Sequence, residues 1–178
     1  MRRNSRTLGF TLLELMIGIT VAGILLGLGV PAFNQLIRNN RTIAETNELM
    51  TALTLARSEA TRRGIAVSVC ASNAAHTECE AVDANDWQNG WLVFTDRDGD
   101  PGAVDPEDEI LQISRSVGAQ LKVESNDLGF VRFDASGART NTDNVELSVQ
   151  HQECTGANRR RIVVNATGRA TLTKVPCS

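Results

Sequence analysis

The feature that most constrains this chain is a run of roughly twenty predominantly apolar residues from Phe10 to Val30, directly behind Arg2, Arg3 and Arg6. A stretch of that length and character crosses a bilayer as one helix. The basic flank stays on the cytoplasmic side, so the chain beyond Val30 is expected outside the inner membrane. One carboxylate, Glu14, lies near the start of the run. A charge in lipid costs about 3 kcal/mol on insertion scales, so Glu14 needs either a partner or a task. An ordinary secretory signal also has a basic region followed by an apolar one. Here the carboxylate inside the apolar region, and the lack of a polar break before the next helical stretch, argue against that reading.

The residues Gly9-Phe10-Thr11-Leu12-Leu13-Glu14 resemble the prepilin signal of type IV pilins and type II secretion pseudopilins. The resemblance implies that residues 1–9 are a leader and that a dedicated prepilin peptidase cuts after Gly9. It also implies methylation of the new amino terminus on Phe10. A residue without a side chain at Gly9 lets extended backbone enter a tight cleft. Glu14, fifth in the processed chain, would pair with the Phe10 ammonium of a neighbouring subunit inside a filament. In a low-dielectric core that attraction is large but mostly offsets desolvation, so its product is register and docking order. Pro31 falls where the family bends its helix, and its missing N–H provides a physical cause for a kink.

The chain has 178 residues, enough for one domain beside the anchoring helix. Residues 10–63 read as one helix, about 80 Å long if unbroken. Its transmembrane or filament-core part is 10–30, with Gly23 and Gly27 in the spacing that permits close helix contact in lipid. Its second part, 31–63, places Ile43, Leu49, Met50, Leu53, Ala56 and Ala60 at three-to-four spacing, an amphipathic face for a sheet. Arg62-Arg63-Gly64 makes a helix end. Beyond it, in 64–178, the period falls to two. Strands are expected at 65–70, 90–95, 109–114, 120–124, 130–133, 145–149, 160–164 and 170–174, with turns at Asn89-Gly90, Ser136-Gly137 and Thr167-Gly168. The expected fold class is α+β, a long amino-terminal helix packed on an antiparallel, sandwich-like β head.

Cys70, Cys79, Cys154 and Cys177 lie on the exported side, where an even count reads as two disulfides. Three connectivities are open, and Cys70–Cys79 with Cys154–Cys177 is the sequence-local one. Zinc is the weaker alternative, because no C-x-x-C spacing occurs and His76 and His151 are not suitably paired. The net charge is −3, falling to −6 once the three leader arginines are removed, a sign that does not favour nucleic acid. The charge is uneven, however: 96–109 holds seven carboxylates and one arginine, whereas 132–178 holds seven basic and four acidic side chains.

Trp87-Gln-Asn-Gly90-Trp91-Leu-Val-Phe94-Thr-Asp96, an acidic loop, then Glu109-Ile-Leu111, together with Asn165-Ala-Thr-Gly168-Arg169, look like the head of the GspH/FimT/FimU group. That resemblance implies a low-abundance subunit that primes or caps a filament and carries a β-sandwich-like head. Its partners would be other pilins or pseudopilins, with the head periplasmic until assembly takes it outside the cell. Some FimT-type members bind DNA through a G-R-x-R motif in the closing hairpin. Here the matching positions read Gly168-Arg169-Ala170-Thr171, without the second arginine. Arg159, Arg160, Arg161, Arg169 and Lys174 are nonetheless candidate phosphate contacts if they converge at one end of the hairpin. Against this stands a solvated strand whose faces alternate.

Asp96, Asp98, Asp100 and Glu107 have the one-three-five-twelve spacing of a calcium loop. The sixth position is Pro101, which cannot take the positive φ required there. A solvated turn built by Asp and Gly is the plainer reading. Two histidines in loop-like contexts and cysteines suited to disulfides leave no constellation for catalysis, and no cofactor is implied.

Overall fold

The computed structural model describes residues 11–81, 85–115, 117–126, 128–140 and 144–178. The chain divides into two compact units, here called the stem (Met1–Arg38) and the head (Asn39–Ser178). Helix α1, Leu12–Arg63, begins in the first and ends in the second. Its carboxyl end is closed by Gly64 at φ +68°, whose N–H donates to the Ala60 carbonyl at 3.0 Å. That is the left-handed cap glycine supplies without steric cost.

Eight strands follow: β1 Val67–Ala71, β2 Trp91–Thr95, β3 Ile110–Ser114, β4 Leu121–Ser125, β5 Phe130–Phe133, β6 Val145–His151, β7 Arg159–Val164 and β8 Ala170–Val175. They form two antiparallel sheets, ordered β3-β2-β1-β5 and β4-β6-β7-β8. Each expected strand is present with bounds within two residues. The α+β architecture inferred from the change of period is the observed one.

Alternation explains the core. Val67 and Val69 of β1 face inward with Trp91 and Val93 of β2 and Val131 and Phe133 of β5. From the second sheet come Val123, Leu147, Val149, Ile162 and Val164. Leu49, Ala52, Leu53, Ala56 and Ala60 of α1 join both sheets in that one cluster. Each large apolar side chain fully buried there contributes about 1.5–3 kcal/mol relative to exposure.

The outer face of the first sheet carries a smaller cluster of Cys70, Leu92 and Phe94, against which Cys79, Val104 and Phe130 pack. Disulfides join Cys70 to Cys79 and Cys154 to Cys177. The first holds the 71–79 loop on this outer face. The second ties the chain end back to 154–156, where the Cys177 N–H donates to the Gly156 carbonyl at 3.0 Å.

At the end of α1, Arg62 and Arg63 both bond Glu59, and Arg63 also reaches Glu109 beside β3. Hydrogen bonds from Arg62 and Arg63 push the Glu59 carboxyl down to about 2 from an ordinary 4.5. A depressed acid stabilises the fold above its unfolded value, and the contribution disappears as the pH falls through the folded value. The unfolding midpoint is expected to drop between about pH 4.5 and pH 2, and Glu59→Gln should flatten that slope in a pH series of melts.

Two short turns of one pattern meet beside the same helix end. Asp134-Ala-Ser-Gly137 and Asn165-Ala-Thr-Gly168 each place an Asx oxygen on following N–H groups and end on a glycine at φ +76° or +75°. The Arg57 Nε donates to the Gly137 carbonyl at 3.0 Å. Arg139 donates from its backbone to the Ala166 carbonyl at 3.0 Å. A Cβ on Gly168 would lie 2.0 Å from the Gly137 carbonyl oxygen, whereas one on Gly118, at φ +80°, would meet nothing within 4 Å. Gly118→Ala therefore isolates the backbone cost, about 1 kcal/mol. Gly168→Ala should add an overpacking cost, for about 2–4 kcal/mol in all. Urea unfolding of the detergent-solubilised protein, followed by fluorescence of the buried Trp87 and Trp91, checks both.

Candidate functional site

The stem presents the first candidate surface. An 18-residue window of α1 near the amino terminus has a mean hydropathy of 2.2, and none of it is buried. Leu12, Leu13, Met16, Ile24, Leu25 and Leu28 are all more than half exposed. Thr11 caps the helix: its hydroxyl accepts the Glu14 N–H at 3.2 Å, and its carbonyl accepts the Leu15 N–H at 3.2 Å. Thr11 is thus the N-cap, and Glu14 puts a carboxylate in the first turn, where the helix dipole favours it. Glu14 itself is exposed. Gly9 and Phe10 lie outside the described residues. The helix continues through Pro31 without a break.

In the head, the Trp87–Asp96 segment is built by packing. Trp87 is fully buried, and its N–H donates to the Val123 carbonyl at 2.9 Å, so the residues before β2 lie along the edge of β4. Gly90, at φ +93°, is required because a Cβ there would lie 2.2 Å from the Ser114 carbonyl oxygen. The segment ends in a buried carboxylate. Asp96 accepts from Ser68 Oγ at 2.7 Å and Arg132 Nε at 2.6 Å on one oxygen, and from the Gly99 N–H at 3.0 Å on the other.

This partnership redirects the acidic loop. The four carboxylates with calcium-loop spacing do not converge. Asp96 faces Arg132, Glu107 is exposed, and Asp100 accepts the Gly102 N–H. The cluster that does form is Asp98, Asp105 and Asp108, with ligand atoms within 4.8 Å of one another. The Asp100 N–H holds Asp98 below the usual carboxylate range, while its hydrogen bond to Asp98 pushes Asp105 up. Asp108 accepts the N–H groups of Arg97 and Asp105, so these carboxylates build the turn. Sequence reasoning missed Ser68 and Arg132 as partners of Asp96. Their outward strand positions were readable, but their pairing across β1 was not. Removing one member of a buried pair strands the other, at about 3–5 kcal/mol. Asp96→Ala should lower head stability by that amount in urea, whereas Asp98→Ala, which removes one acceptor from an exposed turn, should cost only about 1 kcal/mol.

The carboxy-terminal basic residues are separated by the β7–β8 register. Arg159 is opposite Val175 and Arg160 opposite Lys174, so Arg159 and Arg161 share one face while Arg160 and Lys174 share the other. Arg169 is at the turn, beyond the Val164–Ala170 pair. It is five residues along the hairpin from Lys174, about 17 Å. The convergence expected from sequence is therefore not realised. Arg159 and Arg161 line a cleft of about 250 Å³ together with Glu124 and Glu146. Arg161 is 3.6 Å from Glu146, and Lys122 is 2.5 Å from Glu124. Exposed pairs of this kind are worth at most about 1 kcal/mol and leave a face of mixed sign.

The model of the family described as type II transport protein GspH matches residues 45–168. The chain belongs to the GspH family. The model of the prokaryotic N-terminal methylation motif matches residues 4–30. No curated protein matches the chain. Two crystal structures of the type IV minor pilin FimU from Pseudomonas aeruginosa strain PAO1 share the fold of this GspH-family member. The one in space group P21 has a TM-score of 0.61 at 21% identity, over 78% of this chain and 95% of that one. The one in P65 has a TM-score of 0.52 at 21% identity, over 76% and 97%.

Proposed function

We propose that this GspH-family chain is a minor type IV pilin, a structural subunit that joins a priming or tip complex through its stem while the head selects neighbouring subunits. The observation that carries the reading is the stem: an uncovered apolar helix surface with a carboxylate in its first turn, inside a methylation motif. Such a surface needs lipid before assembly and other stems after it. In this reading a prepilin peptidase removes residues 1–9 and methylates Phe10, and Glu14 meets the Phe10 ammonium of an adjacent subunit. Pro31 adjusts the helix path. The head is periplasmic until assembly carries it outward.

The division of the arginines between two faces, and the acidic partners beside Arg159 and Arg161, favour this structural role over DNA capture. A second reading, a type II secretion pseudopilin, is supported by the description of the matching family. Co-purification with pilus or pseudopilus subunits separates the two machines.

Mass spectrometry of the mature protein should find a chain starting at methylated Phe10. Glu14→Ala should remain membrane-inserted but fall at least about fivefold in sheared filaments, the loss expected for an interaction worth 1 kcal/mol or more. Normal recovery of that variant would sink the reading.

A further inference from the structure

A groove of about 400 Å³ runs between the Arg41–Glu45 turn of α1 and residues 117–121. Its walls include Ala44, Val117 and Leu121, and Glu45 lines it with its side chain half-buried. Among the described residues Glu45 makes no hydrogen bond and no ion pair. Arg41, one turn earlier on the helix, instead donates to Gln120 Oε1 at 2.7 Å. Glu48, itself bonded to Ser114 Oγ, adds a like charge to the effect of burial on Glu45. Burial, and then Glu48, push the Glu45 carboxyl up to about 7.

A partly desolvated acid facing a like charge destabilises the subunit that carries it. Among the described residues no group of the head pairs with Glu45. With the Arg41 guanidinium held on Gln120, the groove offers a second cation apolar walls for a methylene stem and the Glu45 carboxylate for its charge. A lysine suits the site better than an arginine. A guanidinium fork requires several coplanar acceptors. The neighbouring carbonyls are already engaged, Gly118 by the Leu121 N–H and Ala119 by Gln152. We propose that this groove receives a lysine of a neighbouring subunit, with its ammonium on Glu45. The inference rests on the filament reading above.

The test uses the full-length protein in filament-bearing cells. Zero-length carbodiimide coupling of sheared filaments, followed by peptide mass spectrometry, should find Glu45 joined to a lysine of another subunit. The adduct should vanish in Glu45→Gln. Glu45→Lys should cut recovery in filaments at least fivefold, and Glu45→Asp should restore most of it. Glu45→Gln should assemble poorly although its unfolding midpoint at pH 8 is equal to or above that of the unmodified chain, a combination that a merely structural role would not produce. An adduct that is absent or only intramolecular, or normal incorporation of Glu45→Lys, would overturn the groove. Glu14→Ala run in parallel keeps the two ideas apart. Normal assembly of that variant removes the filament reading and the groove with it. Loss of Glu14→Ala alongside normal Glu45→Lys removes only the groove.

Discussion

The head depends on one stripe of α1. Leu49, Ala52, Leu53, Ala56 and Ala60 contact residues of both sheets, and each is essentially inaccessible to solvent. Three alanines let strands come close to the helix, while the two leucines fill the space between layers. Close packing of this kind leaves little tolerance, because an interior at crystal-like density registers even a single added methylene. Strand alternation then turns Val67, Val69, Trp91, Val93, Val131 and Phe133 toward that stripe and leaves Cys70, Leu92 and Phe94 on the outer face.

The same helix obeys a different rule before Arg38. There its leucines and isoleucines are exposed. An α-helix satisfies its own backbone hydrogen bonds, so it can be solvated by lipid tails or by other helices, unlike an open sheet. One continuous element thus changes, near Arg38, from a surface apolar all round to a surface with a single buried stripe.

Much of this was readable from residue order. The fall in period after Gly64, from three-to-four to two, marked the change from helix to sheet, and the Asn-Gly and Ser-Gly pairs marked turns. Gly9 through Glu14 carry the processing motif, whereas the helix cap at Thr11 emerges only from the structure. The head's polar interior was less legible. Asp96 was read with its acidic neighbours because they are close in sequence, but it is buried and faces Arg132, 36 residues away. Arg159, Arg160 and Arg161 looked like one patch because they are consecutive. A strand turns alternate residues to opposite faces, and only the register with β8 fixes where each one lies. By spacing alone Glu45 falls off the apolar face of the helix. Its half-burial depends on the 117–121 segment, whose path no local pattern reveals.

The paired turns at Gly137 and Gly168 also have a mechanical consequence. The last turns of α1 touch one of them through Arg57 and Thr61, and that turn presses on the other. The helix end and the two turns therefore stack on one another, and a side chain on either glycine would push them apart. Two positions without a side chain thus set how closely the turns after β5 and β7 can approach the helix.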